Sequence, residues 1–169
     1  MNQLALSLDQ QPVWDGVAFQ TADPRVDRAW RRHTDSQEIN AVMRLLDAFS
    51  DLGGVVNGDA LARLLRSGTE QPISLLARWI VQREVISFSW HSQTLLPLFQ
   101  FDLETLQVRP GVLQVIAELR EAFDDLELAD WFARPNNWLQ GDTPASRFRS
   151  DLPAVLQAAR ADRYVALGN

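Results

Sequence analysis

The chain has 169 residues and a formal charge of −6, from 22 acidic residues against 16 basic ones, all of them arginine. That length points to one domain, or one domain with an appendage, and 46% apolar residues are ample for a core, so a disordered or fibrous chain is excluded. With no cysteine there is no disulfide, zinc ribbon, iron–sulfur cluster or thiol nucleophile, and His33 and His91 alone remain as soft metal ligands.

Nowhere do about 18 apolar residues run consecutively, and no basic region precedes an apolar stretch at the start, so a soluble, cytoplasmic protein with no membrane partner is expected. The acidic balance argues against a coating of nucleic acid, because arginine and lysine neutralising phosphate supply most non-specific affinity. Neither part of the chain is a basic arm: 10 arginines face 13 acids before Pro110, and 6 face 9 after it.

Residues 1–36 are poorly periodic, with Pro12, Gly16 and Pro24, and read as an N-terminal arm that packs Val13, Trp14, Phe19, Val26 and Trp30 onto the body. Within it a short helix from Asp23 to His33 is expected, Pro24 taking the first position after an aspartate cap. Phosphate binding by Arg25, Arg28, Arg31 and Arg32 is the alternative use of that segment. From Glu38 to Leu52, the spacing of Ile39, Val42, Met43, Leu46 and Phe49 predicts an amphipathic helix that Gly53-Gly54 ends.

After Asn57-Gly58 a short helix carries Leu61, Leu64 and Leu65, and a third opens at Pro72 with Ile73, Leu76, Ala77 and Ile80 on its inner face. Joined by a polar turn from Ser67 to Gln71, the pair has the outline of a helix-turn-helix. The period then changes: Ile86, Phe88 and Trp90 alternate with Ser87, Ser89 and His91. The turn His91-Ser92-Gln93-Thr94 leads into a second apolar run, which predicts a β-hairpin in the position of a wing. Pro97 belongs on an edge or at a bulge, since it has no ladder donor.

Pro110 opens a further helix striped by Val112, Val115, Ile116, Leu119 and Phe123. Asp125 is the expected cap of the next one, which stops before Pro135. Asn136-Asn137 and Gly141-Asp142 mark turns around Trp138 and Leu139, both expected to be buried. Thr143 before Pro144, and Ser150 or Asp151 before Pro153, start two more helices. The fold class that results is mainly α: helix-turn-helix-like helices with a small β-hairpin, followed by a bundle of short helices. Its segments are the arm 1–36, the helix-turn-helix-like region 37–107 and a helical domain 108–169.

Catalytic signatures are missing. There is no glycine-rich phosphate loop, no Gly-x-Ser-x-Gly turn and no HExxH, and the two histidines stand 58 positions apart. The crowded acids Glu121, Asp124, Asp125, Glu127 and Asp130 fit the ends of two helices better than paired acid–base work. A protein that is not an enzyme and uses no cofactor or metal is expected. If the third helix faces the core as its stripe suggests, Ser74, Leu75, Arg78, Trp79 and Gln82 project outward. Ser74, Arg78 and Gln82 suit base or phosphate contacts, whereas an outward Leu75–Trp79 pair suits a protein contact or a surface covered by the arm.

Two stretches carry a family resemblance. LPLFQFD at 96–102, with Phe99, and then VRPGVLQVIAEL at 108–119 resemble the link between helix-turn-helix region and toxin-binding domain in the Xre/MbcA/ParS antitoxin family. The run ADWFARPNNWLQGDTPASRF at 129–148 and LPAVLQAARADRY at 152–164 are similar to that family's C-terminal domain. The matching positions are Trp131, Pro135, Asn136, Leu139, Gly141, Thr143, Pro144, Val155, Ala158 and Ala159, mostly scaffold residues by type, over roughly residues 58–164. The resemblance implies a bacterial type II antitoxin that binds and occludes a cognate toxin, commonly of the NAD-degrading RES type, and that often represses its own operon as a homo-oligomer bound to operator DNA. It makes Arg160, Arg163, Tyr164, Val165, Leu167 and Asn169 the candidate toxin contacts. A DNA-binding regulator, or an interaction module of the same fold with no toxin, is the alternative.

Overall fold

The computed structural model describes the backbone from Arg28 to Gly168 and the side chains from Glu38 onward. The chain parts into Met1–Ser36 and Gln37–Asn169, and the second unit holds both apolar cores. The packing expected of Val13, Trp14, Phe19, Val26 and Trp30, and the start of the expected 23–33 helix, lie outside the described residues, as does Asn169. From Arg28 the backbone is helical without interruption to Ser50 (α1), so there is no break ahead of Glu38. Thr34, Asp35 and Ser36 are weak helix formers, but no proline or glycine stands between residues 28 and 50 to stop propagation.

The molecule is mainly helical with a small antiparallel sheet. After α1 come β1 (Val55–Asn57), α2 (Gly58–Leu65), α3 (Pro72–Val81), β2 (Phe88–Trp90) and β3 (Gln93–Pro97). A turn of 3-10 helix (Leu98–Gln100) then leads into a two-stranded ribbon, β4 (Phe101–Asp102) with β5 (Gln107–Val108). The helices α4 (Pro110–Leu119), α5 (Asp125–Ala133), α6 (Pro144–Arg147) and α7 (Leu152–Ala166) complete the chain, with a second 3-10 turn, Asn137–Leu139, between α5 and α6.

The sheet order is β1-β3-β2, with Val55 opposite Pro97 and Phe88 opposite Leu95. Sequence reasoning missed β1, which is three residues long, too short to show alternation. Pro97 is not on an edge strand. It closes the central strand beyond the end of β2, where no neighbour on that side needs its missing N–H. The hairpin turn is also tighter than expected: His91 and Ser92 alone form it, both at positive φ, while Gln93 and Thr94 already belong to β3. That is the mirror-type two-residue turn whose twist matches the strands and which Asn-Gly usually fills.

Two apolar cores result. The larger joins Val42, Leu45 and Phe49 of α1, Phe88 and Leu95 of the hairpin, and the inner faces of α4, α5 and α7, so it draws on both sides of residue 107. Phe99 is its hub, its ring lying 5.4 Å from Phe49, 5.5 Å from Phe132 and 6.4 Å from Phe148. The smaller core joins Leu61, Leu65, Leu76, Trp79, Val85, Leu96, Phe101 and Val108. The α1 stripe is rotated from its expected position: Leu45 is buried, while Ile39 and Met43 are exposed.

Polar joints hold the parts in register. The fully buried Gln100 side chain imitates a strand, accepting from the Ile86 N–H at 2.6 Å and donating to the Ile86 and Pro97 carbonyls, both at 2.9 Å. Arg83, just past α3, donates to the carbonyls of Arg120 and Phe123 at the end of α4 and pairs with Asp125 at 2.8 Å. A cation there meets the negative end of the helix dipole. Asp124, rather than Asp125, caps α5, in a reciprocal capping box with Glu127. The cap-and-proline starts at Thr143 and Asp151 are present. Gly111 lets α4 approach α6 and α7 closely, since a Cβ there would stand 2.8 Å from both Phe148 and Leu152.

Candidate functional site

Two surfaces collect the residues singled out by sequence. The first is the helix pair α2–α3. Ser74, Arg78 and Gln82 face solvent as expected. Leu75 is half-buried against the smaller core, and Trp79, expected outside, is 4% exposed with its ring 5.9 Å from Phe101. The inner face of α3 is therefore Leu76, Trp79 and Ile80, and the row Ile73, Ala77, Val81 lies outside, Ile73 at 71% exposure. Both arcs satisfy helical periodicity. The larger area of an indole seated on Phe101 decides between them.

This surface is slightly basic. Between Gly58 and Gln82, three arginines stand against two acids. Among the described residues Arg63, Arg66 and Arg78 form no ion pair, nor do Arg44, Arg120 and Arg149 elsewhere, whereas Arg83, Arg109, Arg134, Arg147, Arg160 and Arg163 do. Arg66, Ser74, Leu75 and Arg78 line an open groove of about 900 Å³ along the turn between the helices.

The second surface is the end of the C-terminal bundle. Arg160 and Arg163, expected to reach a partner, are held by the molecule itself: Arg160 Nε lies 2.8 Å from one oxygen of Glu118 and Arg163 Nη1 2.8 Å from the other. Beyond them Tyr164, Val165 and Leu167 are exposed, Val165 at 74%. Of the family-motif residues, Phe99, Trp131, Asn136, Leu139 and Pro144 are buried and Pro135 is exposed. Gly141 takes a φ of +90° directly after Gln140 at +60°, the left-handed pair that turns the chain toward α6. Trp138 contradicts its expected burial at 64% exposure. Asn136 Oδ1 accepts from the Trp138 N–H at 2.8 Å and caps a single turn that sends Leu139 inward and the indole outward.

Sequence reasoning missed Asp162. One of its oxygens, Oδ2, accepts from Trp131 Nε1 at 2.8 Å and from Asn136 Nδ2 at 2.7 Å, so the carboxylate staples α7 to α5 and to the Asn137–Leu139 turn. A signal existed: Val155, Ala158, Ala159 and Asp162 follow one helical stripe, which places an acid on the buried face. Trp131, Arg134, Asn136, Trp138 and Asp162 line a cleft of about 230 Å³, and Val165 follows Asp162 on the same helix face. Trp138 thus walls a cleft that holds a carboxylate, and the last turn of α7 beyond it carries exposed apolar side chains.

Among the described residues, no group of histidine and acidic side chains is arranged to hold a metal, and no helix is long and apolar enough to cross a membrane. Asp102 is the described group with a displaced acidity. The Thr105 N–H foremost, the Glu104 N–H and the nearby Arg109 hold its carboxyl below the ordinary 3.8. That network shapes the β4–β5 turn rather than either candidate surface. No protein-family model matches the chain, and neither a curated protein nor a solved structure matches it.

Proposed function

We propose that the protein is a non-catalytic, antitoxin-like binding protein that captures a cognate toxin, of the NAD-degrading RES type, and occludes its active site with the end of the C-terminal bundle. The observation that carries this reading is the exposure of Trp138, Tyr164, Val165 and Leu167 on a bundle whose helices otherwise turn their apolar faces into the larger core. Exposed apolar side chains that form a patch mark interaction sites, and aromatic residues dominate the energetics of protein interfaces. The resemblance of residues 129–164 to the antitoxin family supplies the kind of partner. Arg160 and Arg163, locked on Glu118, act in this reading as a rigid shoulder that orients the last turn of α7. The test is co-expression with the product of the adjacent reading frame. Complex formation and rescue of growth are expected, and Val165→Asp with Leu167→Asp abolishes both. Absence of complex and of rescue with the native chain overturns the reading.

A second reading, repression of its own operon in the cytoplasm by a homo-oligomer, is favoured by the unneutralised Arg63, Arg66 and Arg78 on α2–α3. It predicts affinity for upstream DNA that falls steeply with salt, each arginine that touches phosphate contributing roughly one unit of log–log slope. Arg78→Ala lowers affinity and slope together. Binding that ignores salt, or no binding, removes this reading and leaves the first untouched.

A further inference from the structure

Asp162 is a half-buried carboxylate satisfied by neutral donors only. Both of its hydrogen bonds, from the Trp131 indole and the Asn136 amide, fall on Oδ2. None of the described arginines pairs with it: Arg160 and Arg163, its neighbours on α7, turn to Glu118. Arg134, which lines the same cleft, is taken by Asp130 at 2.7 Å. A carboxylate withdrawn from water is costly unless a cation meets it. At about 230 Å³ the cleft is below the range that encloses drug-sized ligands, yet it has room for one long side chain. Its outer wall is the exposed indole of Trp138, the ring type on which a flat cation stacks best.

We infer that this cleft is the receptor for an arginine side chain of the partner protein, the guanidinium lying against Trp138 and pairing with the free Oδ1 of Asp162. Guanidinium suits the position better than ammonium, because it is planar, weakly hydrated and able to stack and donate at once. The partner class rests on the toxin-binding reading above; the chemistry of the cleft does not. It deepens that reading by assigning the recognition charge to the partner and its acceptor to this chain.

The test uses the full chain and the probe Nα-acetyl-arginine methylamide, followed through the indole N–H resonances of Trp131 and Trp138. Saturable shifts of both are expected in the millimolar range, several-fold weaker with the lysine analogue and absent with the norleucine analogue. Trp138→Ala should weaken the response of Trp131 at least tenfold while its unfolding transition stays native, since the indole is exposed. Asp162→Asn, which keeps an acceptor but removes the charge, should weaken binding by a similar factor. Equal shifts with the neutral analogue, or unchanged affinity in Trp138→Ala, overturn the inference. A chain that binds the toxin but not the probe defeats the cleft alone. One that binds the probe but no toxin defeats the partner reading alone.

Discussion

The α2–α3 helix pair and the end of the C-terminal bundle handle the same residue type in opposite ways. In the C-terminal bundle four of the six arginines are paired, Arg134 with Asp130, Arg147 with Asp142 and Asp151, Arg160 and Arg163 with Glu118, and Arg120 and Arg149 are not. What stays outside there is Trp138, Tyr164, Val165 and Leu167. On the helix pair the arginines stay unpaired and the apolar side chains left outside are the aliphatic Leu64, Ile73, Ala77 and Val81, with no aromatic ring among them. Exposed pairs contribute about 0–1 kcal/mol each, so the bundle's pairing matters less for stability than for removing a positive field from that end. An unpaired arginine acts over roughly a Debye length, about 8 Å at physiological salt. Under the two readings proposed above, the helix pair would meet an anionic partner through charge and the bundle end would meet its partner through contact.

The strongest test of this contrast is whether the two regions fold as one. Phe132→Ala, in the larger core, and Trp79→Ala, in the smaller, should each cost about 3–5 kcal/mol in denaturant titrations. One shared transition is expected for both variants, because Gln100 and Arg83 tie the cores together. A separate early transition in Trp79→Ala would show the helix pair to be an independent unit. Next in size, Gln100→Leu orphans the Ile86 N–H and carbonyl in a dry site. It should cost about 2–5 kcal/mol, more than Arg83→Ala at about 1–2 kcal/mol, whose partners are nearer solvent.

Much of the fold was legible from residue spacing. The helices opening at Gly58, Pro72, Pro110, Pro144 and Leu152 carry their own caps or prolines within a residue or two of the start, and the hairpin announces itself by a change of period. What stayed hidden was the rotation of a helix about its axis. In α3 two neighbouring arcs are apolar, and only the distant Phe101 reveals that Trp79 belongs inside. In α1, likewise, Leu45 displaces Ile39 and Met43 because it joins a core assembled from residues far along the chain, in the hairpin and the C-terminal helices. The candidate site was half legible. Tyr164, Val165 and Leu167 end an amphipathic helix and read as exposed. Trp138 read as core because its turn geometry depends on the Asn136 cap and on Asp162, 26 residues further on.

The hairpin tip gives a smaller effect of opposite sign. Ser92 sits at a φ of +63°, where a Cβ is strained and glycine is not. Ser92→Gly should raise stability by about 0.5–1 kcal/mol, seen as a later thermal midpoint. A loss instead would show that the Ser92 side chain makes a contact worth more than the strain.

The least effect is expected at Asp102, in the ribbon that carries Phe101 and Val108 of the smaller core. Its carboxylate accepts from the Thr105 and Glu104 N–H groups and faces Arg109 at 3.6 Å, and these interactions lower its pKa in the folded state. A depressed folded value means that the unfolded chain binds the proton more readily, so the charge stabilises the fold at any pH above the ordinary carboxylate value. That contribution fades as pH falls through the lower folded value, where the group is neutral in both states. Asp102→Asn keeps an oxygen for the turn and removes only the charge. The native chain should hold a small, constant lead in thermal midpoint over the variant from about pH 7 to about pH 5, and the two curves should converge as the pH drops toward 2. Parallel curves throughout would mean that the carboxylate acts through shape alone.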